Sequence, residues 1–325
     1  MKIAVLDDYQ NATPGLKAWA QLAGHEVTVF NDTLKAEDAL VGRLRGFEAL
    51  VLIRERTRFP ATLLERLPKL RALSQTAKAG PHIDMAACTR LGIAVLEGSG
   101  TPHATAELTW GLVLAAMRRI PQEVENLKRG GWQRSLGLGL RGRTLGVYGF
   151  GKIGSVVAGY GRAFGMKVQA FGREGSRARA EAEGYAFVAS RERFFETCDV
   201  LALHVRLAPE TRGLLQRADL DRMKPSAVLV NTSRAELVEP GALAAALAAG
   251  RPGAAAVDVY EEEPVRDAAH PLLSLPNAIC TPHLGYVERD GYEHYFGIAF
   301  ANLAAFAVGK PQNVANPDYA GAERR

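Results

Sequence analysis

Gly149-Phe150-Gly151-Lys152-Ile153-Gly154 constrains this chain more than any other segment. It fits G-x-G-x-x-G, and its context gives the pattern meaning. Thr144 to Tyr148 reads as a strand before it, and Lys152 to Phe164 as a helix after it, with Gly165 as the stop. Each glycine has a task in such a turn. Gly149 permits the tight bend, Gly151 lets the backbone approach a pyrophosphate, and Gly154 lets helix and strand pack closely. The first amides of the helix, at Lys152 and Ile153, and its dipole favour phosphate oxygens. The expectation is a bound dinucleotide; the alternative is a glycine-rich turn with no ligand.

The rest of the chain alternates in the same way. Ile3 to Leu6, Glu26 to Phe30, Ala49 to Ile53, Ala72 to Gln75 and Ile93 to Leu96 read as strands, with helical stretches such as Thr62 to Leu67 between them. After Gly154 the strand candidates are Val168 to Phe171, Val200 to His204, Val228 to Asn231, Ala255 to Val259 and Ala278 to Thr281. Short apolar runs alternating with helices predict α/β architecture with parallel sheets covered on both faces. Thr101 and Pro102 read as N-cap and first residue of a long helix reaching about Ile120, which would connect two domains. Tyr292 to Val308 reads as another helix. The 325 residues are enough for two cores. The expected division is 1–100 plus 291–325 for one domain and 101–290 for the other. No solenoid-length repeat is visible.

Composition narrows the function classes. No apolar run approaches the ~18 residues of a spanning helix, so no membrane role is expected. The start has neither a basic region nor a cleavage-like site, so export is not expected. Cys88, Cys198 and Cys280 are far apart, which argues against a disulfide framework and against a metal site, and fits a reducing cytoplasm. The net charge of +5 comes from scattered basic residues, among which the group Arg173, Arg177 and Arg179 is the one of interest. An anionic small molecule explains such local positions better than a nucleic acid.

The strand after the glycine loop ends in Gly172-Arg173-Glu174. NAD enzymes usually place an acid there to bond the ribose 2′-hydroxyl. Gly172 removes that acid, and Arg173 can pair with a 2′-phosphate, so NADP is expected to be accepted alongside NAD and to be preferred. Glu174, turned inward, would restore NAD selectivity.

Three polar segments follow predicted strands, where open α/β sheets hold their ligands. They are Asn231-Thr232-Ser233-Arg234, Asp258-Val259-Tyr260-Glu261-Glu262-Glu263-Pro264 and Thr281-Pro282-His283-Leu284-Gly285. Reducing a 2-keto acid requires a cation for the carboxylate and a proton donor for the developing alkoxide. Arginine's planar fork suits the first task and histidine the second. A carboxylate on the other imidazole nitrogen fixes the tautomer. Singly, each is an ordinary strand-end or loop residue; downstream of a dinucleotide loop they form a set.

With these segments together, the sequence resembles the D-isomer-specific 2-hydroxyacid dehydrogenase family over nearly its whole length. The matching parts are Gly149 to Gly154, His204 with Glu210-Thr211, Asn231 to Val238, Asp258 to Pro264 and Thr281 to Gly285. The resemblance implies two Rossmann-like doubly wound parallel-sheet domains with a cleft between them, the terminal one flavodoxin-like and substrate-binding. It implies Arg234 as substrate-orienting arginine, Glu263 as histidine partner and His283 as acid/base. It places Asp258 near the nicotinamide carboxamide, and Thr232, Ser233, His204 and Gly285 along the cofactor. Arg54 matches an arginine that often reaches substrate. Backbone amides around Lys78, Ala79 and Gly80 match a loop that binds the carboxylate.

Two departures stand out. That loop reads Ala77-Lys78-Ala79-Gly80-Pro81-His82-Ile83-Asp84, where the family usually has Gly-x-Gly. Arg206 stands where the family usually has proline, and both a phosphate contact and an exposed position are open to it. The implied activity is hydride transfer between NAD(P)H and a small keto acid, with glyoxylate or hydroxypyruvate as default substrates. Phosphite and 3-phosphoglycerate oxidation are alternatives, the first through Lys78. Formate oxidation is disfavoured, because formate enzymes typically pair the histidine with glutamine. The resemblance extends to dinucleotide-sensing corepressors, and it implies a homodimer formed through the cofactor domain.

Overall fold

The computed structural model describes residues 1–321. Positions 322–325 of the expected 291–325 segment lie outside the described residues. Two compact units emerge: Met1–Thr101 with the chain from Glu288 onward, and Pro102–Val287.

The first unit carries β1 (Lys2–Val5), β2 (Glu26–Val29), β3 (Ala49–Leu52), β4 (Ala72–Gln75) and β5 (Ala94–Leu96), all parallel, in the order β2-β1-β3-β4-β5. Ala49-Leu50-Val51-Leu52 shows why these runs do not alternate. Every residue of β3 is buried, because helices cover both faces. Helices α1 (Glu37–Leu44), α2 (Ala61–Leu64) and α3 (Met85–Arg90) connect the strands. The helix Arg289–Ala307 returns to this unit, where its Ala299 carbonyl accepts a bond from Ser74 Oγ on β4 at 2.8 Å. It begins three residues before the expected Tyr292. The Glu288 carboxylate caps it, accepting from the Asp290 and Gly291 amides at 2.7 and 2.5 Å.

The second unit is a seven-stranded parallel sheet of β6 (Thr144–Tyr148), β7 (Lys167–Phe171), β8 (Ala186–Phe187), β9 (Val200–Leu203), β10 (Val228–Asn231), β11 (Ala254–Val257) and β12 (Ala278–Cys280). Its order is β12-β11-β10-β9-β6-β7-β8. Strand order reverses between β6 and β9, the switch point beside which such sheets take ligands.

The long connecting helix differs from expectation at both ends. α4 spans His103–Met117, and Pro102 sits at its N-cap without a side-chain cap bond, so Thr101 does not cap it. Arg119 takes a left-handed φ of +54° and breaks the run, after which α5 (Ile120–Lys128) begins. Along α4, Ala106, Trp110, Val113 and Met117 recur at helical spacing and bury against Leu145, Val147 and Val157.

Candidate active site

The loop after β6 shows why its glycines are glycines. Gly149 has φ +92°, and a Cβ there would lie 2.6 Å from the His204 carbonyl oxygen across the switch point. A Cβ on Gly154 would overlap the Gly149 carbonyl oxygen. The space in front of Gly151 is open, with no atom within 4 Å of where its Cβ would be. Gly151 is the N-cap of α6 (Lys152–Ala163), so the Lys152 and Ile153 amides lead the helix. At the end of β9 both His204 ring nitrogens are buried without a hydrogen-bond partner among the described residues, and burial holds the imidazole down, to about 4. An open, amide-rich turn with an orphaned neutral imidazole beside it fits a dinucleotide.

One strand further on, Gly172 holds φ +152°, which side chains rarely adopt, and a Cβ there would stand 2.8 Å from Ser176 Oγ, so an acid would require that hydroxyl to turn away. Ser176 is a residue that sequence reasoning missed. Its hydroxyl accepts from the Phe150 amide at 3.2 Å, buttressing the glycine loop from α7 (Glu174–Ala182). Arg173 is the exposed N-cap of α7. Glu174 points along the helix surface to Arg177, 3.5 Å away. Arg206 is exposed.

The acid/base pair is assembled from two strand-end turns. His283 Nδ1 lies 2.5 Å from Glu263 Oε2, leaving Nε2 as the atom for a substrate. Glu263 Oε1 accepts from the Tyr260 amide at 3.0 Å. Burial alone would raise the Glu263 carboxyl. The His283 bond and charge, the Tyr260 amide and the Arg234 charge together outweigh it and hold the group below the usual carboxylate range. Glu263 therefore stays ionised at neutral pH, and the stability this contributes is lost only as pH falls through its lowered value. An ionised Glu263 bonded at Nδ1 orients the ring.

His283 itself sits at φ +54°, a left-handed conformation uncommon for a side chain. What holds it there is Asp258. This buried carboxylate accepts from Thr281 Oγ1 at 2.6 Å, from the Leu284 amide at 2.7 Å and from the Gly285 amide at 2.8 Å. Thr105 Oγ1 fixes the Gly285 carbonyl from α4 at 2.7 Å. Burial pushes the Asp258 carboxyl up, and these donors oppose that. Both Asp258 oxygens are thus engaged by the turn that carries His283.

Arg234 follows β10. Asn231 Nδ2 donates to its carbonyl at 2.9 Å, and its own Nη1 donates to the Ser233 carbonyl at 2.7 Å. Thr232 Oγ1 is 2.8 Å from Thr109 Oγ1 on α4, and Ser233 Oγ donates to the Leu203 carbonyl at 2.8 Å. Both hydroxyls therefore brace the turn.

In the first unit, Arg54 follows β3 at φ +56°. Lys78 is not an open cation: Glu97 takes its ammonium at 2.6 Å and the Ala79 amide at 2.8 Å. The loop expected to cradle a carboxylate through Lys78, Ala79 and Gly80 is thus partly filled by a carboxylate of the chain itself. Gly80 is hemmed in, since a Cβ would lie 3.2 Å from Glu55 Oε1. Glu97 carried a signal that was passed over, an acid directly after the apolar run Ala94-Val95-Leu96.

Residues 110–285 match the family model described as D-isomer specific 2-hydroxyacid dehydrogenase, NAD binding domain. A glyoxylate reductase of Aeropyrum pernix is 39% identical over 290 residues, 86% of either chain. A D-3-phosphoglycerate dehydrogenase of Methanocaldococcus jannaschii is 38% identical over 80% of this chain, which spans 49% of that longer protein. A solved oxidoreductase structure from Ralstonia solanacearum is 53% identical, covers 99% of this chain and 98% of its own, and superposes with a TM-score of 0.96.

Proposed function

This chain belongs to the D-isomer-specific 2-hydroxyacid dehydrogenase family, and we propose that it reduces small 2-keto acids, glyoxylate and hydroxypyruvate first among them, to D-2-hydroxy acids. The observation that carries this reading is the 2.5 Å contact of His283 Nδ1 with an ionised Glu263, within reach of the Arg234 charge. When bound, a nicotinamide cofactor would supply hydride chemistry at this site. Arg234 pairs with the substrate carboxylate and draws electron density from the carbonyl. His283 donates from Nε2 to the carbonyl oxygen as it becomes an alkoxide, and takes the proton back in oxidation. Glu263 keeps the ring oriented through Nδ1. Gly149 to Gly154 with the Lys152 and Ile153 amides would hold the pyrophosphate of that cofactor, and His204 would lie along it. Arg54 and the 78–80 loop belong to the substrate-binding unit of 1–100 plus 291–325, and the 101–290 unit holds the cofactor.

The engaged state of Lys78 argues against a phosphite site built on it. The M. jannaschii relative supports testing a phosphorylated substrate as well. The test is oxidation of NADH and of NADPH with glyoxylate, hydroxypyruvate, pyruvate and 3-phosphohydroxypyruvate. Turnover of the first two is expected. Tight cofactor binding without any turnover would instead favour a dinucleotide-sensing corepressor.

NADP preference is supported by the backbone at Gly172, which disfavours an acid, by exposed Arg173 and by Glu174 facing Arg177. The kcat/KM for NADPH is expected to exceed that for NADH, and Arg173→Ala should lower the NADPH value about tenfold while sparing NADH. A strong NADH preference in the wild type overturns this.

Homodimer formation is supported by α5. It buries no residue of its own, exposes Ile120, Val124 and Leu127 on one stripe, and leads to Trp132 and Leu136, 76% and 93% exposed. Light scattering should give twice the chain mass, and Trp132→Arg with Leu136→Asp should give the monomer; a monomeric wild type contradicts it. No helix among the described residues is long and apolar enough to cross a membrane. The three unpaired cysteines fit the cytoplasm as its compartment.

A further inference from the structure

Two features that folding alone disfavours meet at one end of the first unit's sheet. Arg54, two residues past β3, holds a left-handed backbone at φ +56°. Gln75, the last residue of β4, is fully buried, and its Oε1 has no hydrogen-bond partner among the described residues. Both lie at the carboxyl ends of parallel strands, the edge where open α/β sheets take ligands.

Gln75 and Thr76 grip Arg54 from both sides. Gln75 Nε2 donates to the Arg54 carbonyl at 2.8 Å and lies 3.2 Å from His82 Nε2. The amide cannot be reversed, because its oxygen would then face the Arg54 carbonyl oxygen. With both amide hydrogens given away, His82 accepts at Nε2 and carries its proton on Nδ1. The Arg54 amide donates to Thr76 Oγ1 at 3.2 Å, and that hydroxyl donates onward to the Leu52 carbonyl at 3.1 Å. The peptide groups on either side of Arg54 are thus fixed by the last residue of the neighbouring strand and the one that follows it.

We infer that Gln75 and Thr76 are positioning residues that hold Arg54 in its left-handed turn and so aim its guanidinium at the substrate carboxylate. The inference rests on the reading of Arg54 as a substrate contact. A fork pairs with a carboxylate in one plane only, so its direction matters as much as its charge. A buried oxygen left without a donor is tolerated where the same side chain's nitrogen has work to do.

The test is glyoxylate reduction by Gln75→Met, Thr76→Val, Thr76→Ser, Arg54→Ala and the Gln75→Met/Arg54→Ala pair. Gln75→Met and Thr76→Val should each raise the glyoxylate KM about tenfold and change kcat less than about threefold. Thr76→Ser, which keeps the hydroxyl, should behave as wild type. The Kd for NADH should stay unchanged in all of them; Gln75→Met and Thr76→Val, which lose buried hydrogen bonds, should still melt cooperatively, about 2–6 °C lower, and Thr76→Ser at the wild-type Tm. In the Arg54→Ala background, Gln75→Met should add nothing. Unchanged KM in both Gln75→Met and Thr76→Val, beside a raised KM in Arg54→Ala, overturns the clamp alone. So does a KM increase from Gln75→Met that persists without the arginine. A wild-type KM in Arg54→Ala overturns the substrate-contact reading and the clamp with it.

Discussion

His283→Ala is expected to lose about 10³-fold in kcat for keto-acid reduction, with NADH affinity and Tm close to wild type. The size follows from what is removed. Nε2 is the proton donor for the alkoxide, and no second side chain of the site has comparable chemistry at neutral pH. Water can substitute, but it is a far weaker acid than an imidazolium. The fold should survive because the turn does not depend on the imidazole. Asp258 holds it through the Thr281 hydroxyl and the Leu284 and Gly285 amides. Glu263, left without the ring, keeps the Tyr260 amide and the Arg234 charge. Steady-state kinetics beside a melting curve checks both halves. A variant with near-normal kcat removes His283 from the acid/base role. One that fails to melt cooperatively gives it a structural role instead.

Arg234→Gln should lower kcat/KM for the keto acid by roughly 10²–10³-fold, about 3–4 kcal/mol of transition-state stabilisation. The loss should appear in both constants, since the guanidinium binds the carboxylate in the ground state and steadies the developing negative charge. Arg234→Lys should recover little of it. An ammonium carries the charge but not the planar pair of donors, and its shorter reach is not braced by the Ser233 carbonyl as the guanidinium is. Glu263 would also lose one of the influences that keep it ionised. Measuring the keto-acid KM, kcat and the NADH Kd for both variants separates these effects. An unchanged KM in Arg234→Gln contradicts a carboxylate contact.

Much of this architecture is legible in the chain because parallel strands are buried on both faces. Ala49-Leu50-Val51-Leu52-Ile53 and Val228-Leu229-Val230 are uninterrupted apolar runs that end where polar residues begin, at Arg54 and Asn231. The glycine loop is legible because each glycine answers a local demand, as at Gly149, where φ +92° and the His204 carbonyl leave no alternative. His283, Glu263 and Arg234 are legible as chemistry that needs three residue types after three strands. Pairings over long distances are not. Lys78 looks like an available cation until Glu97, nineteen residues on, is seen to claim it. The Ser176 hydroxyl behind Gly172 belongs to the next helix and has no periodic signature. The break at Arg119 is a left-handed residue that no glycine or asparagine announces. The part Asp258 plays in carrying the His283 turn is another such pairing, seen only through its three donors.

The most direct measurement is the product formed from hydroxypyruvate with a reduced nicotinamide cofactor, resolved by chiral chromatography. D-glycerate, formed in step with cofactor oxidation and lost in His283→Ala, is expected. L-glycerate, or cofactor oxidation that His283→Ala leaves unchanged, would contradict the assignment of hydride transfer to this site.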